Sequence, residues 1–246
     1  MSYSDQSYIG SGKFHMRERG TTDPLVEIGN VSAASFGIES ESQSLRNYRG
    51  GGGEANKLER ITAVNMSLTL HDFNSENLSL VLYGSTSTDT ASSVASEVQP
   101  GADSGLIRTD KLIDTTQTVT VTGPSASPTH TEGTDYNITA AGIEVIDGGA
   151  IALGADIEVT YESLGVEIVD ALMNSGKEYE LYIDGVNDAQ SGAPFVIDVW
   201  RFKPSPAQDI GVISDDFASF SISGSVLIDT TKTTTSQYFR RISKAS

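Results

Sequence analysis

Period-two alternation of apolar and polar residues is the strongest signal in this chain, and it predicts strands. Tyr179, Leu181 and Ile183 alternate with Glu178, Glu180, Tyr182 and Asp184. Ala218, Phe220, Ile222, Val226 and Ile228 alternate in the same way with Ser219, Ser221, Ser223 and Ser225. Between them the pattern predicts a strand over Phe195–Phe202 and a short proline-introduced helix over Pro206–Ile213. In the first half, Val64, Met66, Leu68 and Leu70 form one face, with Asn65, Ser67, Thr69 and His71 opposite. As a strand, Arg60–His71 would run roughly 40 Å. Shorter strands are expected at Pro24–Ile28 and Val31–Ile38, around Gly29-Asn30. One segment has helical spacing: Asn74 or Ser75 as N-cap, Leu78, Val81 and Leu82 as the apolar face, and Gly84 as C-cap.

The intervening segments set the domain organisation. Residues 1–23 are polar, glycine-containing and aperiodic, as expected of an arm that orders only against a partner. Residues 230–246 form a second, Thr-rich arm with Lys232, Arg240, Arg241 and Lys244. Residues 39–57 read as a long loop containing Gly50-Gly51-Gly52-Gly53, and loops of that length in compact domains are usually functional or disordered. Residues 85–96 hold eight serines or threonines, a linker composition. Short strand candidates then recur at Thr118–Thr122, Tyr136–Thr139, Gly142–Ile146, Ala150–Leu153 and Asp156–Tyr161. Gly123-Pro124, Asp147-Gly148-Gly149 and Gly154 punctuate them, a spacing that suits a small Ig-like β-sandwich. The expectation is therefore a mainly-β chain with one or two short helices. A core of residues 24–84 and 164–229 is interrupted by an inserted β domain at 85–163, and Val166–Met173 suits either a strand or a short helix.

Composition narrows the partners. The 246 residues carry 33 acidic and 16 basic side chains, a formal charge of −17. Such a surface disfavours holding nucleic acid; it suits a merely soluble acidic protein first, and also a surface that DNA must touch without sticking. The absence of cysteine removes disulfides, thiolate metal sites and cysteine nucleophiles. Met1–Gln6 lacks the basic and apolar run of a secretory signal, and no stretch approaches the ~20 apolar residues of a membrane span. A soluble, cytosolically made protein is expected.

No arrangement of residues points to catalysis, a cofactor or a metal. Gly10-Ser11-Gly12-Lys13-Phe14 fails the phosphate-loop pattern at Ser7 and Phe14. His15, His71 and His130 are dispersed, without metal-ligand spacing. Asp215-Asp216 is the most conspicuous carboxylate pair and reads as an exposed helix end; Asp184–Asp188 lacks the ligands of a calcium loop and reads as a turn. The sharpest interaction signal is Leu45-Arg46-Asn47-Tyr48-Arg49 before the four glycines. Tyr and Arg are favoured interface anchors, and glycine lets the segment reach outward.

Over roughly two-thirds of its length the chain resembles the major tail (tail tube) proteins of long-tailed, non-contractile phages. The likeness runs through Leu25–Lys57, the strand Ile61–Asp72, the helix Asn74–Tyr83, the phrases Glu178–Asn187 and Phe195–Arg201, and the closing run Asp215–Asp229. The resemblance implies a β-sandwich or barrel subunit, six to a ring, whose stacked rings form the conduit for genome ejection. It implies no enzymatic activity and no cofactor. The implied partners are further copies of the chain, tape-measure and tail terminator or tip proteins, and DNA as passing cargo, with no membrane. The implied location is the virion tail, after synthesis in the bacterial cytoplasm. Contacts between subunits or rings are expected at Leu45, Tyr48, Arg49, Gly50, Gly51, Gly52 and Gly53, and acidic lumen residues at Glu178, Glu180, Asp184 and Asp198. The competing expectations are an adhesin-like or carbohydrate-binding β-sandwich and a carboxylate-pair hydrolase.

Overall fold

The computed structural model describes residues 6–207 and 209–244; Met1–Asp5, Ala245 and Ser246 of the expected arms, and Gln208, lie outside them. The described residues are mainly strand. In chain order the elements are β1 (Gly10–Glu18), β2 (Val26–Glu27), β3 (Val31–Arg46), β4 (Glu54–Leu70) and α1 (Ser75–Val81). Then come β5 (Ser85–Asp89), β6 (Ser93–Pro100), β7 (Gly105–Arg108), β8 (Thr120–Thr122), β9 (Tyr136–Thr139), β10 (Gly142–Val145), β11 (Asp156–Glu162) and β12 (Val166–Asp170). The chain closes with β13 (Tyr179–Asn187), β14 (Ala193–Pro204), β15 (Phe220–Val226) and β16 (Phe239–Ser243). It divides into two compact units, residues 1–85 with 169–246, and residues 86–168.

Unit 1 is built on one eight-stranded sheet in the order β2-β1-β13-β14-β15-β4-β3, with β16 also on β14. β14 belongs to two layers. Phe195–Val199 pair with β16 and Ala193–Phe202 with β13, whereas Phe202–Pro204 pair with β15. The sheet folds over at this strand and encloses a single core. Leu181, Ile183 and Val199 come from one layer, and Met66, Leu68, Leu70 and Ile222 from the other. Phe36 of β3 stacks on Phe239 of β16 at 4.4 Å, joining the two layers. α1 adds Leu80 and Val81 to the core.

Unit 2 is a smaller sandwich of two three-stranded sheets, β6-β11-β8 and β7-β10-β9. Ile113, Val121, Ile143, Ile157, Val159 and Tyr161 fill its core. Six strands fall short of the seven of an Ig layout. The expected strand at Ala150–Leu153 is a turn, because the Ala150 N–H is held by the Asp135 carboxylate at 2.9 Å. β5 and β12 pair as a two-stranded ribbon.

Several expectations are corrected. The long loop at 39–57 is mostly strand, since β3 runs to Arg46 and β4 begins at Glu54. Both faces of that stretch are exposed, so no apolar face exists to generate a period-two signal. The 85–96 linker forms β5 and part of β6, with hydroxyl side chains on wet strand faces. The arms are not free: β1 pairs with β13 along Gly10–Glu18, and β16 with β14. Asp184–Asn187 continue β13 and form no turn. The described residues of Pro206–Ile213 form no helix, and Asp215-Asp216 lie in a bend.

The α1 helix is N-capped by Asn74 as expected and buries Val81 of the expected face, with Leu82 packed against the core; Asn77 and Leu80 are buried with it, and Leu78 is only partly covered. Tyr83, at φ 50°, takes the left-handed position. The Gly84 N–H closes onto the Ser79 carbonyl at 2.8 Å, the longer bond of a Schellman end.

Candidate functional site

β4 explains how an arm leaves the body. Its core-facing side chains, Leu70, Leu68, Met66 and Val64, are buried, and burial stops there. From Ser40 to Thr62 no side chain is buried, yet the register continues to Arg46↔Glu54. The outcome is a two-stranded ribbon about 25 Å long past the last core contact, at ~3.3 Å per residue. Bulges at Glu39/Ser40 and Leu45/Arg46 interrupt its ladder.

The tip is a small designed turn. Gly50 to Gly53 have φ of 101°, 88°, 70° and 82°, a left-handed run that side-chain-bearing residues resist. The Asn47 carboxamide oxygen accepts from the Arg49 N–H at 2.9 Å, its Nδ2 donates to the Gly50 carbonyl, and the Asn47 N–H reaches the Gly53 carbonyl at 3.0 Å. This presents Tyr48 at 83% exposure, with Leu45 and Leu58 exposed behind it. Leu45, Tyr48, Arg49 and Gly50–Gly53 therefore share one tip. Over residues 39–60 four acids (Glu39, Glu41, Glu54, Glu59) balance four bases (Arg46, Arg49, Lys57, Arg60), while the whole chain carries −17. The arm is neutral on a strongly acidic protein.

The outward faces of the two layers differ. On the β1-β13-β14-β16 layer, three of the four expected lumen acids are ion-paired. Arg17 holds Glu180 at 2.6 Å, Arg201 holds Glu178 at 2.6 Å, and Arg240 holds Asp198 at 2.7 Å. The Arg201 hydrogen bond keeps the Glu178 carboxyl below the usual carboxylate range against the opposing effect of burial. Asp184 stands opposite Lys13 in register and is exposed. This face is a ladder of opposite charges, not an acidic wall.

The β3-β4-β15 layer presents something else. Its cross-strand rows read Ala33–Thr69–Ser221, Ser35–Ser67–Ser223 and Gly37–Asn65–Ser225. The residues of these rows are short and uncharged; charge enters only at one edge, where Lys203 stands in register with Ser225 and the Asn65 side chain donates to the Glu39 carboxylate at 2.9 Å. Single-strand periodicity displayed Ser221–Ser225 and Ser67, but the grid exists only once β3 and β15 flank β4.

Elsewhere the chemistry is structural. His15 lies on β1 beside Tyr182, His71 exchanges a hydrogen bond with Ser32 at 2.9 Å, and His130 is buried in unit 2 near Asp135. The Asp135 carboxyl is lowered by the N–H groups of Thr131 and Ala150. Tyr161 donates to Glu97 at 2.6 Å, and its hydroxyl is pushed up to about 12, chiefly by burial and then by that bond. No group of three or more His, Asp or Glu among the described residues could hold a metal ion. Among the described residues no helix is long and apolar enough to cross a membrane. The buried His130–Asp135 pair carried no sequence signal, since nothing local distinguishes a buried histidine from an exposed one.

Residues 7–242 match the family described as protein of unknown function UCP028589, and the chain belongs to that family. No curated protein matches it.

Proposed function

We propose that this member of the family is a self-assembling structural subunit, the tail tube protein of a long-tailed phage. On this reading its copies close into rings, six-membered by resemblance, and the rings stack into the conduit for the genome. The observation that carries the reading is the outer edge of β3. It is 16 residues long and, among the described residues, pairs on one side only, with β4. An exposed strand edge of that length is a standing template for another chain, and a closed ring of subunits removes it. The neutral arm supplies reach beyond the body, and its Tyr48, Leu45 and Arg49 suit contact with a neighbouring copy.

Closure through β3 makes the β3-β4-β15 layer the wall of the channel. Its core side is covered, so its free side, the hydroxyl grid, faces the lumen. The rows offer passing DNA mostly short uncharged side chains, with Lys203 and Glu39 as the charges at their edge. Glu178, Glu180, Asp184 and Asp198 lie on the other layer, so on this reading they do not line the channel. The remaining partners, tape-measure and terminator proteins, follow from the family resemblance alone, as do the virion location and the absence of catalysis.

Negative-stain electron microscopy of the purified chain across a concentration and salt series tests the proposal. Screening by salt weakens the mutual repulsion of −17 chains, so rings or hollow tubes should form more readily as salt rises. A monomer at every concentration and salt, even when seeded with tail tips, would overturn it. The adhesin-like alternative draws on unit 2, a sandwich with a core of its own. A monomer that binds glycans on an array would favour it.

A further inference from the structure

We propose that the loop between β14 and β15 of one copy docks into a cationic, aromatic groove at the opposite end of β14 in a second copy. The proposal deepens the self-assembly reading and takes from it the identity of the partner.

The loop carries the most exposed large apolar side chains of the described residues. Val212 is 88%, Ile213 93% and Phe217 95% exposed, with Asp215 and Asp216 between them. Single exposed apolar residues are ordinary, but three within six positions make a sticky patch. The base of the loop is anchored: the Ala207 N–H bonds the Val81 carbonyl at 2.8 Å, and Ile210 packs on the core. The patch is thus held out from a fixed stem.

The groove, of about 890 Å³, lies where β14 begins, β16 ends and the segment before β1 passes. Tyr8 and Phe195 stand 5.6 Å apart. The Arg241 guanidinium sits 5.3 Å from the Tyr8 ring and 5.0 Å from the Phe195 ring, and Lys244 adds a second cation. Arg17, Arg201 and Arg240 each hold a carboxylate, whereas Arg241 forms no ion pair among the described residues. On so acidic a protein, an arginine stacked on aromatics with no carboxylate paired to it among the described residues is an open position for one. Two aspartates flanked by aliphatic and aromatic side chains match both the charge and the walls.

The partner must be another molecule. The groove lies at Ala193–Ile197 and the loop departs after Pro204, at the far end of a 12-residue strand. At ~3.3 Å per residue, roughly 25 to 35 Å of strand separates them. A contact between opposite ends of a subunit is head-to-tail. Such contacts repeat, giving a closed ring or a continuing stack and never a self-limited two-fold dimer.

The chain has no cysteine, so engineered pairs report cleanly. Differently tagged V212C and S243C proteins, both altered at exposed positions, are mixed under mild oxidation; a disulfide between the two tags is expected, and none in S243C alone. In parallel, R241E/K244E and D215R/D216R should each raise the concentration for half-assembly roughly tenfold. Their combination in one chain should return it to within about threefold of the parent. Tubes that form without the mixed disulfide, or reversals whose effects add without rescue, overturn the contact and leave the tube reading standing. A mixed disulfide in particles that are neither rings nor tubes upholds the contact and removes the tube reading. Absence of both disulfide and assembly overturns the contact.

Discussion

Removing the arm separates folding from assembly. Glu39 and Ala63 are directly opposite partners in the β3–β4 ladder. Replacing residues 40–62 by Asn-Gly joins them through the two-residue turn that paired antiparallel strands prefer. Nothing buried is lost, because no side chain in the deleted stretch is buried. The connection shortens about tenfold, which lowers the closure entropy by ~2 kcal/mol. Loss of exposed ladder bonds offsets part of that, so unfolding stability should be unchanged or higher by up to ~2 kcal/mol. Assembly should respond the other way. Burying Leu45, Tyr48 and Leu58 against a neighbour at ~1.5 kcal/mol each amounts to ~4.5 kcal/mol, about three powers of ten in a contact constant. A thermal melt by circular dichroism and electron microscopy of the same sample check both halves. Normal-length tubes from the truncated chain would refute the role of the arm. Loss of cooperative unfolding would refute the claim that the arm is outside the folding unit.

Phe202→Ala, at a fully buried position where the two layers of unit 1 meet, should cost about 3–5 kcal/mol and lower the melting temperature of unit 1. Stability should fall in acid: Glu178, Asp229 and Asp135 have folded pKa values below their ordinary ones, so their contribution is present above the unfolded carboxylate range, about 4, and is lost as pH drops through the folded values. Urea midpoints across pH 2 to 6 (about the carboxylate range) should show the decline, and the Glu178→Gln variant should show less of it. Tyr161 titrates at about 12 when folded, so its contribution is full below pH ~10 and fades as pH rises through that interval; tyrosinate absorbance should lag that of Tyr161→Phe controls. In assembled tubes, Ser67→Lys with Ser223→Lys should make the channel retain DNA, whereas Tyr182→Lys on the other layer should not.

The buried half of each strand was legible because burial imposes period two. Val64–Leu70, Leu181–Ile183 and Phe220–Val226 all lie where alternation placed them. The arm was not, because Ser40–Ser44 and Lys57–Arg60 face water on both sides and repeat nothing. The terminal strands escaped for a related reason. β1 and β16 owe their extended form to partners far away in the chain, Tyr179–Asn187 and Phe195–Val199, and not to a pattern of their own. Leu45, Tyr48, Arg49 and the four glycines were singled out from their types, and the structure groups them at the β3–β4 turn. The paired state of Glu178, Glu180 and Asp198 was not legible, since Arg201, Arg17 and Arg240 reach them through sheet register.

The β5–β12 ribbon has a consequence for how such chains change. Adjacent strands of a sheet stand ~4.8 Å apart, so the outgoing and returning backbones of residues 86–168 run side by side. A stretch of gene encoding any fold whose ends are neighbours fits the same doorway without altering the register of β4, β13, β14 or β15. Unit 2 is in that sense a cassette: recombination can exchange it, shorten it to a hairpin or replace it with a foreign payload while the scaffold it hangs from stays the same.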